Sequence, residues 1–147
     1  QYVEITGYSS DVFYENLAQI PARTTTVVLD ACFSGATVFE NISPIVIKTK
    51  KTNTLSNGVI FSSSTDDQVS CWYNQKEHGM FTYFFLKGIH EANADANGDK
   101  ELTVRELYNF VSDPSEGLPY YARRIHGVEQ NPGLTGKAMD HVLVKYR

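Results

Sequence analysis

Two features of this 147-residue chain predict an α/β fold, a mainly parallel sheet flanked by helices. Two short, unbroken apolar runs, Val27-Val28-Leu29 and Val59-Ile60-Phe61, each end in small polar residues, as strands buried in a parallel sheet do. Apolar stripes at helical spacing, Phe81, Phe84, Phe85, Ile89 and then Val104, Leu107, Tyr108, Val111, supply the covering helices. In sheets of this kind ligands collect at the carboxyl ends of the strands, so the loops opening at Asp30 and Ser62 are where a site belongs.

Taken in order, Phe13, Leu17 and Ile20 recur at helical spacing, and Pro21 closes that helix ahead of the first strand. The strand stops at Asp30-Ala31-Cys32-Phe33-Ser34-Gly35, where Ser and Gly permit a sharp turn, which puts Cys32 at a strand's carboxyl end. From Ala36 to Asn57 there is no sustained periodicity, and most of the segment reads as an exposed loop carrying Lys48, Lys50 and Lys51. Within it, Ile45-Val46-Ile47 is short enough to make no more than an edge segment. The second strand ends in Ser62-Ser63-Ser64-Thr65, and Val142-Leu143-Val144 is the last short strand.

A content of 41% hydrophobic and 12% aromatic residues suffices for one core, and the length argues against two domains. The net charge of −4 excludes a nucleic-acid or membrane surface held by bulk electrostatics. No apolar run reaches the ~18 residues of a membrane span, and the start Gln1-Tyr2-Val3-Glu4 has no signal-peptide pattern. Without an initiator Met, Gln1 is expected to lie downstream of the natural start. Two cysteines, Cys32 and Cys71, make no disulfide scaffold and predict a reducing compartment, the cytoplasm.

Asp30-Ala31-Cys32-Phe33-Ser34-Gly35 after an apolar strand resembles the nucleophile motif of caspase-like cysteine peptidases, most closely the metacaspases and their bacterial relatives. Ser62 to Ser70 and Gly79-Met80-Phe81-Thr82-Tyr83-Phe84 resemble small-subunit segments of the same family, in the same order. The resemblance implies a caspase-hemoglobinase-like three-layer sandwich in which residues 1–147 form a single peptidase-domain portion. Residues 1–47 would end a large-subunit-like region, 48–57 a processing loop, and 58–147 a small-subunit-like region. It also implies a protein or peptide substrate and no cofactor for the chemistry.

Amide hydrolysis by a thiol needs a thiolate, an imidazole to protonate the leaving amine, and N–H groups for the oxyanion. Cys32 supplies the thiol; the alternative is a buried, small apolar residue. Caspase-type enzymes carry their His about 50 residues before the Cys, whereas only 31 residues precede Cys32 and none is His. The expected partner is therefore a His-bearing segment of the same protein, upstream of this chain. His78-Gly79 copies the family's His-Gly pair but follows Cys32 and reads as an exposed helix start, while His90, His126 and His141 read as solvated.

By the same resemblance Asp30 sits at the floor of the substrate pocket and receives Arg or Lys; a turn cap is the competing reading. Asp67, with Asp66 as substitute, resembles a second acid of that pocket, although turn acidity explains either. Ser64, Ser70 and Trp72 join the substrate-binding set; Trp72 and Tyr73 are equally readable as packing. Basic specificity would make Lys48, Lys50 and Lys51 self-processing sites.

Asp95, Asn97, Asp99, Glu101, Thr103 and Glu106 fall at the oxygen-ligand positions of a calcium loop, but Lys100 stands where that loop needs Gly. Thr103 with Glu106 also makes a capping box, which requires no metal. Three functions stay open: a cysteine endopeptidase, a catalytically inactive caspase-like interaction module, and a calcium-binding regulatory domain.

Overall fold

The structure, a computed structural model, describes residues 8–31, 55, 57–65 and 68–147. Helix α1 (Ser10–Gln19) leads into strand β1 (Thr25–Leu29), and β2 (Gly58–Ser62) follows. Two-residue strands β3 (Trp72–Tyr73) and β4 (His78–Gly79) precede α2 (Met80–Ile89). Then come β5 (Glu101–Thr103), α3 (Val104–Val111), α4 (Leu118–His126), β6 (Gly133–Gly136) and β7 (Val142–Lys145).

The two apolar runs pair in parallel, with Thr25 opposite Gly58 and Leu29 opposite Ser62, so both strands end at the same edge. β2 alternates between two apolar clusters, as successive residues of a strand must. Val59 and Phe61 pack with Met80, Phe81 and Phe84 of α2, Leu107 and Val111 of α3, and Leu118 and Ala122 of α4. Ile60 turns the other way, onto Tyr14, Val27 and Leu55, with Phe13 and Leu17 of α1 alongside. The result is an α/β architecture with helices packed against both clusters.

Several expectations need correction. β1 is not buried on both faces: Val27 is buried but Val28, on the opposite face, is 43% exposed. The sheet is mixed, since β6 joins β2 antiparallel. Gly136, at φ +124, lets the Gly58 carbonyl approach to where a Cβ would stand, 2.2 Å away. The Val142–Val144 run does form a strand, but it pairs with β5 in a separate two-stranded sheet. Leu55, placed in the loop by its lack of periodicity, is 2% exposed within the α1 cluster, whereas Ile20 points outward. Among the described residues no helix is long and apolar enough to cross a membrane.

Candidate active site

The parallel register brings the two strand-end loops together. Ser63 N–H donates to the Leu29 carbonyl (2.9 Å), continuing the ladder one step past β2. The Ser63 hydroxyl then clasps the peptide at Ala31, accepting from Ala31 N–H (3.1 Å) and donating to Ala31 O (2.9 Å). The backbone entering position 32 is thus held by the second loop.

Asp30 lies at this junction, and it is exposed. Its Oδ1 accepts from the Ser70 hydroxyl (2.8 Å). Its Oδ2 accepts from the Thr82 hydroxyl (2.6 Å) and from Thr82 N–H (3.3 Å) in the first turn of α2. Gly79, the residue before α2, offers no side chain to its first-turn amides, so a carboxylate from 52 residues away takes the capping position. The positive end of the helix dipole favours a negative charge there. A Cβ at position 79 would lie 2.2 Å from Oδ2, so this approach requires Gly79. The capping alternative raised for Asp30 is therefore real, but the helix it caps is distant in sequence. Because the carboxylate is exposed, its desolvation is smaller than that of an acid sunk in a pocket floor.

Behind Asp30 lies Gln130, 0% exposed. Its Oε1 accepts from Cys71 N–H (2.9 Å), and its Nε2 donates to Ser63 O (2.9 Å) and towards Ser70 Oγ (3.4 Å). The next residue, Asn131, donates its N–H to Gln68 Oε1 (2.6 Å). Ser64 is buried, and its Oγ has no hydrogen-bond partner among the described residues, an unmet polar atom beside the junction.

Of the substrate-binding residues read from sequence, the structure brings Asp30 and Ser70 into contact, and Ser64 follows Ser63 in the same loop. Cys32, Asp66, Asp67 and the lysines Lys48, Lys50 and Lys51 lie outside the described residues. Trp72 is 45% exposed, while Tyr73 is core, packed edge-on against Tyr83 at 5.1 Å; burial pushes its hydroxyl above the usual tyrosine range. His78 is exposed and lines an open surface groove with Lys76, Tyr83 and His90. His126 is not simply solvated: it is half-buried, and its Nε2 lies 2.8 Å from Trp72 O, which as an acceptor requires the proton on Nε2.

Nothing in the sequence singles out Gln130, and Thr82 stands there only within Gly79-Met80-Phe81-Thr82-Tyr83-Phe84, the segment that resembles the family. Thr82 carried a usable signal, a polar residue in the first turn of a helix whose preceding Gly cannot cap it. Gln130 had none, since an isolated polar residue between loop residues says nothing of burial.

The calcium-loop oxygens are engaged with backbone and neighbours. Asp95 accepts from Gly98 N–H and Lys100 N–H, both at 2.9 Å; the Asn97 amide donates to Asp99 Oδ2, and Asn97 Oδ1 and Asp99 Oδ1 each accept from the backbone N–H two residues on, of Asp99 and Glu101. Glu101 pairs with Lys145, and Glu106 completes the capping box with Thr103. Lys100 takes the left-handed turn, φ +67, that Gly would supply. Among the described residues no group of three or more His, Cys, Asp or Glu side chains is gathered to hold a metal ion.

Comparison with curated proteins and with solved structures gives no match. A family model described as the caspase domain matches residues 3–143 and so spans both strand-end loops, Asp30 and Cys32 at the first and Ser63 to Ser70 at the second. The chain belongs to the caspase-domain family of cysteine peptidases.

Proposed function

We propose that the protein hydrolyses peptide bonds after arginine or lysine, with Cys32 as nucleophile and a histidine from an upstream segment of the same protein as its acid–base partner. The observation that carries this reading is Asp30: an exposed carboxylate two residues before Cys32, held at the strand-end junction by Ser70 and Thr82. Its two oxygens offer about four lone-pair sites, and the three bonds leave room for an incoming cation. A guanidinium or ammonium reaching Asp30 would bring the scissile carbonyl towards residue 32. The Cys32 thiolate attacks that carbon, backbone N–H groups hold the oxyanion, and the imidazolium protonates the leaving amine. Water then hydrolyses the thioester, returning the thiol.

Asp67, Ser64 and Trp72 complete the substrate-binding set in this reading. The Ser64 hydroxyl, which has no partner among the described residues, and the exposed Trp72 ring support it. The two apolar clusters on β2 support a three-layer sandwich as the complete fold. Residues 48–57 would be the processing loop between the large- and small-subunit-like parts, cut after Lys48, Lys50 or Lys51.

One experiment tests nucleophile and processing together. Mass spectrometry of the full gene product, split into two aliquots, should show cuts after the loop lysines in the untreated one and alkylation at Cys32 in the one treated from the start with a peptide chloromethylketone ending in Arg. Both should be lost in Cys32→Ala. An unreactive Cys32 would leave the caspase-like interaction module standing instead.

As a second, separate reading we propose a structural calcium ion in the loop at Asp95. Lys100 at φ +67 and Asp95 clasping the amides of Gly98 and Lys100 give the loop its sharp turn without Gly in the sixth position.

A further inference from the structure

We propose that Gln130 is a positioning residue for Asp30, acting through the Ser70 hydroxyl, and thereby a determinant of basic selectivity; this rests on the reading of Asp30 as the substrate-selecting acid. The orientation of the Gln130 amide is fixed by partners that have no choice of role. Cys71 N–H can only donate, so it must face Oε1; Ser63 O can only accept, so it must face Nε2. The remaining N–H then points at Ser70 Oγ, 3.4 Å away.

A serine hydroxyl has one proton. With Gln130 donating to its oxygen, that proton is directed to Asp30 Oδ1, 2.8 Å away. The chain of donors therefore runs one way, from a fully buried amide through a buried hydroxyl to an exposed carboxylate. Thr82 fixes the other oxygen from α2. An exposed Asp would otherwise spread over several rotamers; held from both sides, its carboxylate is preorganised for a cation. Packing alone does not account for a glutamine here, because Leu or Met would fill the space without burying an amide.

The test compares hydrolysis by the full gene product of two peptides that differ only in ending on Arg or on citrulline, its neutral isostere. Ser70→Ala and Gln130→Met should each lower the Arg-to-citrulline ratio of kcat/KM at least fivefold, the change lying in KM for the Arg peptide rather than in kcat. Combined, they should lower it no further than Ser70→Ala alone, since both act on one link. Should Gln130→Met fail to fold, Gln130→Glu is read in its place, because it keeps the bond to Cys71 but offers Ser70 an acceptor that draws its proton away from Asp30. An unchanged ratio in Ser70→Ala, or in a folded Gln130 variant, overturns the inference while leaving basic specificity intact. A wild-type protein with no preference for Arg overturns the specificity reading itself, and the role assigned to Gln130 with it.

Discussion

Asp30 and Asp95 are both exposed or half-exposed acids in loops, and each accepts more than one hydrogen bond, yet they are held in opposite ways. The donors to Asp95 come from within its own loop, three and five residues on. Those to Asp30 come from Ser70 and Thr82, 40 and 52 residues away. Local turn chemistry accounts for Asp95, because any chain folding through that loop would offer it the same amides. Nothing local accounts for Asp30, whose partners arrive only when the second strand-end loop and α2 dock against β1. An acid assembled by tertiary structure at a strand-end junction is better placed to serve a site than one satisfied by its neighbours.

Removing the charge at Asp30 is the largest expected break in that contrast. Asp30→Asn keeps an acceptor for Thr82 but cannot pair with a cation, so kcat/KM for Arg-ending peptides should fall roughly 10- to 100-fold. Citrulline-ending peptides should be little affected. Equal losses on both peptides would reduce Asp30 to a helix cap.

The capping role has its own measure. Asp30→Ala strips the cap from α2 and leaves Thr82 N–H and the Ser70 hydroxyl short of an acceptor, at a cost of about 1–2 kcal/mol by urea unfolding. Thr103→Ala removes a cap supplied from within the loop of Asp95 and should cost about 1 kcal/mol without changing the Arg-to-citrulline ratio. A Thr103 variant that altered selectivity would join the two regions that the comparison separates.

The same contrast explains what could be read from sequence. The capping box at Thr103 and Glu106, the stripe Phe81, Phe84, Phe85, Ile89 and the parallel pair of apolar runs are short-range patterns, and all appear in the structure. The end of the apolar run put Asp30 at a strand's end, and family resemblance gave it a place in the substrate pocket. The Ser70–Gln130 link spans 60 residues and the bond from Gln130 to Ser63 spans 67, distances over which a single sequence carries no pairing signal. β6 was hidden for a different reason: it carries two glycines, normally depleted in strands, Gly136 where the Gly58 backbone comes close and Gly133 where the Ser62 hydroxyl does.

Calcium sharpens the other side of the comparison. An ion bound in the loop at about five times its dissociation constant stabilises the fold by about 1 kcal/mol, a rise in melting temperature of roughly 2–4 °C for a chain of this size. Asp95→Ala should abolish the rise, because the first-position carboxylate is lost together with the clasp on Gly98 and Lys100. A melting temperature indifferent to calcium would leave the loop as a turn closed by its own amides.

The smallest effect belongs to a third acid, Asp113, which is held as locally as Asp95. The Ser115 hydroxyl (2.7 Å), Ser115 N–H (2.8 Å) and Glu116 N–H (2.8 Å) all donate to its Oδ1. The Ser115 hydroxyl bond, then the two backbone bonds, hold its carboxyl below the usual aspartate range. A pKa lowered by folding means that the unfolded chain takes up the proton first. Its contribution to stability is therefore complete above the ordinary aspartate value and is lost as pH falls through the lowered one. Asn at this position accepts the same amides but does not titrate. Asp113→Asn should accordingly lower the melting temperature slightly near pH 7 and flatten its decline below about pH 4. Parallel melting curves for the two proteins across that range would mean that the three bonds do not favour the charged form, and that a locally satisfied acid contributes less than its geometry implies.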